Sequence, residues 1–366
     1  MSDSMVRVGV VTTVLPRGGG PSGARPVAYF RRMAVRAAEL GAELLVFSPE
    51  DVDWPARRVH AWVPADLDRP EGPWRRVWRP LPQALYENVF VHLAVRGYTR
   101  GLRAQARRNG IPVFNPVLPN KWQMFRWLRR TDLARYLPET HWLTAPAQAI
   151  SYIRAWRTAF VKPVGGYGGT GVTRIEASRD GRFRVCADRL REGGAMRRRM
   201  TERVLAAWLA RRARTPHLVQ RGLALITLAG RKVDFRVVVC RGLGGKWRIV
   251  GVIPKRAPRD GVVTNLVAGG ERLDLARGRA LAAREGKVIP VADLEECALA
   301  IAKLISARRP SAGLLGFDLG VDDAGRVWFI EMNPKPSRLL LDSEMKRMAA
   351  RLNAEFLVHL ARTGRV

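Results

Sequence analysis

Apolar and polar positions along the 366-residue chain predict a mixed α/β protein in which short buried strands alternate with helices. The segment 6–14 is typical of a buried strand, and the segment 27–49 predicts a helix followed by a second strand. A helix is predicted over 87–110 and a short strand over 111–116. This order predicts an open α/β domain, which we expect to occupy residues 1–114.

The rest of the chain, residues 115–366, predicts a larger unit rich in long strands. A helix is expected directly after Asn120, because the apolar residues that follow share one face. Strands are predicted at 159–164, 171–177, 182–187, 232–240 and 246–254. Helices are predicted at 195–213, at 291–307 and from Leu339 onward. The segment 314–333 predicts a β-hairpin turned at DDAG.

The composition is that of a globular protein, with 47% hydrophobic and 26% charged residues, but the net charge is +32. Nine of the 64 basic residues are lysines, so the charge is carried by arginine. Such a charge attracts polyanions, including nucleic acid, an acidic polymer or a membrane surface. The arginines are scattered without a nucleic-acid-binding signature, which favours a compositional bias and leaves nucleic acid open as a partner.

The sequence indicates a cytoplasmic, reducing compartment. No apolar run approaches the ~20 residues needed to cross a bilayer, and the first residues lack the cations of a signal peptide. The three cysteines are far apart, which indicates neither a disulfide framework nor a metal site. We therefore expect no membrane span and no disulfide.

The predicted 314–333 hairpin carries the most specific chemical signal. Glu331 and Asn333 are two residues apart on one strand and share a face, and the hairpin brings Asp318 opposite them. Two carboxylates and an amide oxygen suit Mg²⁺ held together with substrate phosphates. The alternative is a set of strand-end polar residues exposed to water. The four apolar residues before Glu331 favour the metal site, because an unpaired buried carboxylate would be costly.

A second signal is the stretch FVKPVGGYGGTG, in which Lys162 precedes five glycines, Gly165, Gly166, Gly168, Gly169 and Gly171. Glycines allow backbone N–H groups to approach phosphate oxygens closely, and a lysine supplies a cation. The stretch has neither the Gly-Lys-Ser/Thr of a P-loop nor the helix of a dinucleotide-binding fingerprint. Alone it is compatible equally with a flexible hairpin turn.

Together these motifs resemble ATP-grasp enzymes. KWQMFRWL, FVKPVGGYGGTG, LVQRGLAL, DFRVVV, TNLVAGG and GFDLGVDDAGRVWFIEMNPKP occur in that family's order over residues 115–345. KWQMFRWL and VFSPEDVDW look most like the YheC/YheD branch, which is linked to bacterial spore coats. The segment 220–270 is also similar to glutathione synthetase-type ligases. The resemblance implies a two-lobed ATP-grasp fold after the N-terminal α/β domain, with a flap subdomain at 140–222 and a metal-binding subdomain at 223–345.

The resemblance also implies roles for individual residues. Lys121 and Lys162 would contact ATP phosphates, and the glycines of 165–171 would form a mobile flap over them. Asp318, Glu331 and Asn333 would bind two Mg²⁺ ions, with Mn²⁺ as an alternative. The remaining positions implied are the adenine-binding hinge Gln220, Arg221 and Leu223, the phosphate-side Asn265, and the catalytic Arg236 and Arg256.

The implied function is that of an ATP- and Mg²⁺-dependent ligase that activates a carboxylate as an acyl phosphate for attack by an amine. A kinase on the same scaffold is one alternative. A spore-coat or polyanion-binding structural protein that only binds nucleotide is another. The partners expected are ATP and a carboxylate–amine pair that the sequence does not define. The positive charge suggests an acidic polymer as the acceptor, and the resemblance adds association with the spore coat.

Overall fold

The computed structural model describes residues 5–16, 24–69, 72–115, 119–166, 169–188 and 193–364. Its strands form three sheets. The first contains β1 (Val6–Thr12), β2 (Ala42–Phe47), β3 (Val52–Asp53), β4 (Arg58–Pro64), β5 (Trp74–Pro80), β6 (Ala84–Asn88) and β7 (Val113–Phe114). The second contains β8 (Thr140–Trp142), β9 (Thr158–Pro163), β10 (Thr173–Ala177), β11 (Phe183–Ala187), β12 (Met196–Met200) and β13 (His217–Arg221). The third contains β14 (Thr227–Leu228), β15 (Arg231–Arg241), β16 (Trp247–Arg256), β17 (Glu271–Arg272), β18 (Leu314–Val321) and β19 (Val327–Asn333).

Helices cover faces of these sheets. They are α1 (Ala24–Glu39), α2 (Val91–Val95), α3 (Arg100–Arg108), α4 (Lys121–Leu128), α5 (Pro146–Trp156), α6 (Glu202–Ala213), α7 (Leu275–Arg284), α8 (Val291–Arg308) and α9 (Ser343–Thr363). Helix α4 begins where the sequence predicts, because the Asn120 side chain accepts a hydrogen bond from the Gln123 backbone and completes a capping box. In the part of the chain described, no helix combines the length and apolar character needed to cross a membrane.

The first sheet has the order β3-β4-β2-β1-β6-β7, with β1 parallel to both β2 and β6. β1 connects through α1 to β2, which lies on one side of β1. β6 lies on the other side of β1 and connects through α2 and α3 to β7, which is further out on that side. The strand order therefore reverses between β1 and β6. Crevices for ligands form at such points, outside the carboxyl ends of the strands.

The second sheet has the order β12-β11-β10-β9-β13-β8, and its described pairings are antiparallel. Ile150 and Ile153 of α5 and Leu205 and Leu209 of α6 pack against its apolar face. Its edge strand β12 carries three arginines between Met196 and Met200. The prediction of one helix over 195–213 is wrong for this part, because β12 pairs with β11 and α6 begins only after Thr201.

The third sheet has the order β17-β16-β15-β18-β19, with β14 paired to β15. Along β15 the odd-numbered residues, such as Val237, pack toward α8. The even-numbered residues change character along the strand: Val238 and Cys240 are apolar and pack toward α9, whereas Asp234 and Arg236 are charged. One face of this sheet is thus core at one end and polar at the other.

The predicted helix over 87–110 is interrupted, since Glu87 belongs to β6 and Gly97, at φ +95°, lies in the break between α2 and α3.

The Phe114 ring stacks on Tyr86, with 4.4 Å between ring centroids, and packs against Phe356 of α9, with 5.2 Å between ring centroids. The first and third sheets therefore share one hydrophobic core, and the boundary at residue 114 stays a prediction.

Candidate active site

The polar end of the third sheet collects the hairpin residues on one face. Asp318 on β18 lies directly opposite Glu331 on β19 and opposite Arg236 on β15. Residues opposite each other in antiparallel strands project to the same side, as do residues two apart. Asn333 therefore joins the group, and its Nδ2 donates a hydrogen bond of 3.2 Å to Asp318 Oδ2.

The Asp318 carboxylate is buried and accepts from two cations. Arg236 donates from Nε to Oδ1 at 2.7 Å and from Nη2 to Oδ2 at 3.1 Å, and Lys255 Nζ lies 2.9 Å from Oδ1. Burial alone would raise the pKa of Asp318, but Arg236 and Lys255 outweigh it and hold the pKa well below its usual value. This carboxylate is therefore ionised and charge-compensated within the protein.

Lys255 connects Asp318 to a second buried carboxylate. Its Nζ lies 3.1 Å from Asp234 Oδ1, and the Thr264 hydroxyl donates to Asp234 Oδ2. Burial raises the pKa of Asp234, with Lys255 opposing the shift. Burial lowers the pKa of Lys255, but the two carboxylates outweigh it and raise that pKa, so the lysine stays charged.

Lys255, Asp234 and Thr264 were not found from the sequence, whereas Arg256, a predicted catalytic residue, is the neighbour of Lys255 on β16. Adjacent residues on a strand point to opposite faces. The Arg256 guanidinium donates from Nε to Glu271 Oε1 at 2.6 Å and does not join the Asp318 group. The signal that would have found Lys255 is the register of β16 against β15, which places it opposite Asp234.

A second polar group faces this one from the second sheet. Lys162 on β9 donates from Nζ to Gln220 Oε1 at 2.6 Å, and Gln220 Nε2 donates to Thr140 Oγ1 at 2.9 Å. Burial lowers the pKa of Lys162 to about 8, and the more distant Glu331 offsets this only in part. The bond that Lys162 makes is thus to a neutral amide, in contrast to the carboxylate pairs of Lys255.

Between the two sheets lies a cleft that contains both groups, which we call the central cleft. Lys162 and Gln220 line one wall, and Asp234, Lys255, Asp318 and Glu331 line the other. Apolar side chains complete the lining, among them Phe160, Leu223, Leu225 and Ile330. The cleft thus offers cations and carboxylates at one place and apolar surface beside them.

Other residues named from the sequence lie at this cleft. Gly169, Arg221, Leu223 and Asn265 line it. Lys121, at the start of α4, has its Nζ 3.5 Å from both Glu331 Oε2 and the Gly166 carbonyl oxygen.

The glycines of the loop 165–171 lie in different surroundings. At Gly169 φ is +73° and an added Cβ would lie 3.1 Å from Val263 Cγ2, so both backbone and space favour glycine. Gly165 and Gly166 are exposed. Gly171 lines a neighbouring groove beside α6 rather than the central cleft. Gly168 lies outside the described residues.

The donor set at Asp318, Glu331 and Asn333 fits Mg²⁺ in kind, since it comprises two carboxylates and an amide on one face. Within the described ranges, no three His, Cys, Asp or Glu side chains form a group that could hold a metal by themselves. A cation there would need further oxygen ligands from a substrate, as is usual for Mg²⁺ bound with phosphates.

The fold is that of ATP-grasp enzymes. The structure is similar, with a TM-score of 0.50 and 12% identity over 97% of each chain, to a RiPP-associated ATP-grasp ligase from Chryseobacterium gregarium in complex with ADP and a leader and core peptide. It is similar with the same TM-score, and 15% identity over 98% of each chain, to D-alanyl-alanine synthetase A from Vibrio cholerae O1 biovar eltor. The α/β class predicted from the sequence is confirmed.

The family described as YheC/D-like ATP-grasp matches residues 110–361, and the chain belongs to this family. It is 25% identical over 349 residues to the endospore coat-associated protein YheD of Bacillus subtilis strain 168, covering 92% of this chain and 74% of the relative. It is 21% identical over 321 residues to YheC of the same strain, covering 85% of each. The resemblance predicted from the motifs is confirmed.

Proposed function

We propose that the protein is an ATP-dependent ligase that activates a carboxylate as an acyl phosphate and joins it to an amine. The observation that carries this proposal is the arrangement of the central cleft, where Lys162 on one sheet faces the Lys255–Asp318 group on the other. Membership of the ATP-grasp family supports it. So do the names of the two structurally similar proteins, which describe a ligase and a synthetase.

The cleft chemistry suits a nucleotide triphosphate. Phe160, Leu223 and Ile330 supply apolar surface for a purine, and Gln220 and Arg221 lie beside them. Lys162 and Lys121 would bind the phosphates, because both are cations near the glycine loop. Asn265 lies at the same cleft and would contribute from the opposite side.

The reaction proposed has two steps. A carboxylate oxygen attacks the γ-phosphorus, forming the acyl–phosphate bond and breaking the bond to the β-phosphate oxygen, so that ADP leaves. The amine then adds to the carbonyl carbon, phosphate departs with the electron pair of the C–O bond, and the amine loses a proton. Arg236 and Lys255 would stabilise charge during transfer, since catalysis of this kind rests on positioning and electrostatics.

Asp318, Glu331 and Asn333 would hold Mg²⁺, which when bound neutralises charge on the phosphates. The glycine loop would exclude water, which matters because an acyl phosphate hydrolyses readily. In the structure Lys255 already compensates Asp318, so we expect its Nζ to redistribute between this carboxylate and bound phosphate.

Hydroxylamine trapping tests the proposal. The protein is incubated with ATP, Mg²⁺, hydroxylamine and pools of amino acids and peptides, beside Glu331→Gln and the surface control Glu296→Gln. We expect ADP and a hydroxamate from the wild type and the control, and neither from Glu331→Gln. A stable phosphorylated product would identify a kinase instead. Binding of ATP without hydroxamate from any pool would contradict the ligase proposal.

A further inference from the structure

A second cleft lies where the first and third sheets meet, and we call it the basic cleft. One wall is formed at the carboxyl ends of β1 and β6, at Thr12 and Asn88, and the other by the segment 335–339 that follows β19. Its volume of about 860 Å³ is that of a site for a ligand larger than one amino acid. It occupies the point where the strand order of the first sheet reverses, which is where open α/β sheets bind ligands.

The lining of this cleft is cationic. Its charged side chains are Arg32, Lys335, Arg338 and Lys346, and no Asp or Glu is found among its described lining residues. Lys335 is compensated, since its Nζ lies 2.9 Å from Oε1 of the buried Glu87.

The other three cations differ from Lys335, because no carboxylate of the described ranges lies within ion-pair distance of Arg32, Arg338 or Lys346. Arg36, one turn further along α1 than Arg32, shows the usual arrangement and pairs with Glu39 and Glu355 at 2.7 Å each. Three uncompensated cations around one concave surface favour an anionic ligand.

Apolar groups stand beside these cations. Phe90 is 56% exposed and Leu339 is 74% exposed, and both line the cleft. The Arg338 guanidinium lies 4.4 Å from the ring centroid of Tyr29, which also lines it. Large exposed apolar side chains that share a concave site with cations indicate a ligand with both apolar and anionic groups.

The basic cleft adjoins the Asp318 group. Gly316 on β18 has no side chain, and a Cβ added there would lie 2.8 Å from Pro336 Cβ and 3.1 Å from Arg236 Cδ. Pro336 lines the basic cleft, and Arg236 holds Asp318. A ligand in the basic cleft therefore lies close to the Asp318 group, where the proposed phosphoryl transfer takes place.

We infer that the basic cleft binds an acidic peptide, whose carboxylates meet Arg32, Arg338 and Lys346 and whose apolar side chains pack on Phe90 and Leu339. This names the substrate class for the proposed ligase reaction and rests on that proposal. A peptide is favoured over a nucleic acid because the site is concave and partly apolar, and because a carboxylate is the group to be activated.

The test is direct binding without ATP, so that it does not depend on turnover. The probe is the fluorescein-labelled peptide Glu-Glu-Phe-Glu-Glu, with Gln-Gln-Phe-Gln-Gln as the uncharged control, followed by anisotropy at low and physiological salt. The double variant R32Q/K346Q removes two cleft cations. The matched control R203Q/R347Q removes two cations of α6 and α9 that do not line the basic cleft.

We expect the acidic peptide to bind the wild type and the matched control alike, and R32Q/K346Q about tenfold more weakly. Leu339→Ser should weaken the phenylalanine peptide more than Glu-Glu-Ala-Glu-Glu, unlike Leu243→Ser on the surface. Equal loss in both double variants, or equal binding of the glutamine peptide, would overturn the inference. So would preferential, R32Q/K346Q-sensitive binding of a short oligonucleotide. Peptide binding that passes these controls in a protein that yields no hydroxamate would contradict the ligase proposal alone.

Discussion

Each wall of the central cleft carries a lysine, buried in the case of Lys255 and half-buried in the case of Lys162, and the two lysines have different partners. On the third sheet, Lys255 lies between two carboxylates, which raise its pKa. On the second sheet, Lys162 bonds to the neutral amide of Gln220, and burial lowers its pKa to about 8. On the third sheet the charge is thus compensated before any ligand binds. Among the described residues no carboxylate lies within ion-pair distance of Lys162, so an anionic ligand could supply its counter-charge.

The largest effect we expect comes from Glu331, which lies on the third-sheet wall of the central cleft. Its carboxylate is a proposed cation ligand and lies 3.5 Å from Lys121 Nζ. Glu331→Gln keeps the size but removes the charge, so ATP turnover should fall about 1000-fold. Coupled-assay measurement of ADP release checks this, with Glu296→Gln as control. Turnover within a few-fold of wild type would contradict a role for Glu331 in the reaction.

The stability of the folded protein should depend on Asp318, which lies on the third-sheet wall of the central cleft. Asp318→Asn leaves Arg236 and Lys255 with less counter-charge in a buried place, so the free energy of unfolding should fall by about 3–5 kcal/mol. Urea unfolding followed by circular dichroism measures it. Glu331→Gln, whose side chain is 23% exposed, should cost less than about 1 kcal/mol. Equal losses would mean that the two carboxylates are not distinguished by burial.

Lys255 and Arg256 are neighbouring cations on β16, and we expect their substitution to affect turnover differently. Lys255→Met should reduce turnover about 100-fold, because the lysine belongs to the Asp318 group. Arg256→Gln should change turnover less than about threefold, because Arg256 pairs with Glu271 away from that group. Steady-state kinetics of both variants decides between them. A larger loss for Arg256→Gln would support the catalytic role that the family resemblance implied for Arg256.

The smallest effect concerns pH. As the pH rises through about 8, Lys162 should lose its proton and ATP should bind up to about tenfold more weakly. Lys162→Arg, which stays charged, should flatten this dependence in nucleotide titrations at several pH values. Since the folded protein releases this proton before the unfolded chain does, the same titration favours folding, and unfolding cannot explain the weakening. A pH-independent affinity in the wild type would contradict the assignment.

Much of the fold could be predicted from the local pattern of apolar and polar residues, as the hairpin at 314–333 shows. A turn at DDAG fixes which residues of 314–333 face each other, so Asp318 and Glu331 could be paired from sequence, and the structure puts them opposite each other. Lys255 could not be found in this way. Its place depends on the register between strands that are distant in the chain, and a shift of one residue exchanges it for Arg256.

The N-terminal half of the basic cleft could not be predicted from the sequence either. Arg32 is one of many arginines, and only the packing of α1 against α9 and the order of the first sheet bring it to Lys346. Local propensity also misassigned 195–213, because β12 is an edge strand stabilised by β11 and not by its own residues.

We propose that both walls of the central cleft bind one nucleotide. Isothermal titration of ATP, with and without Mg²⁺, into the wild type, Lys162→Met and Glu331→Gln tests it most directly. We predict Mg²⁺-strengthened binding at one site, weakened by Lys162→Met with and without Mg²⁺. Glu331→Gln should lose only the Mg²⁺-dependent part. An affinity that neither substitution changes, or one that Mg²⁺ leaves unaltered, would contradict the account.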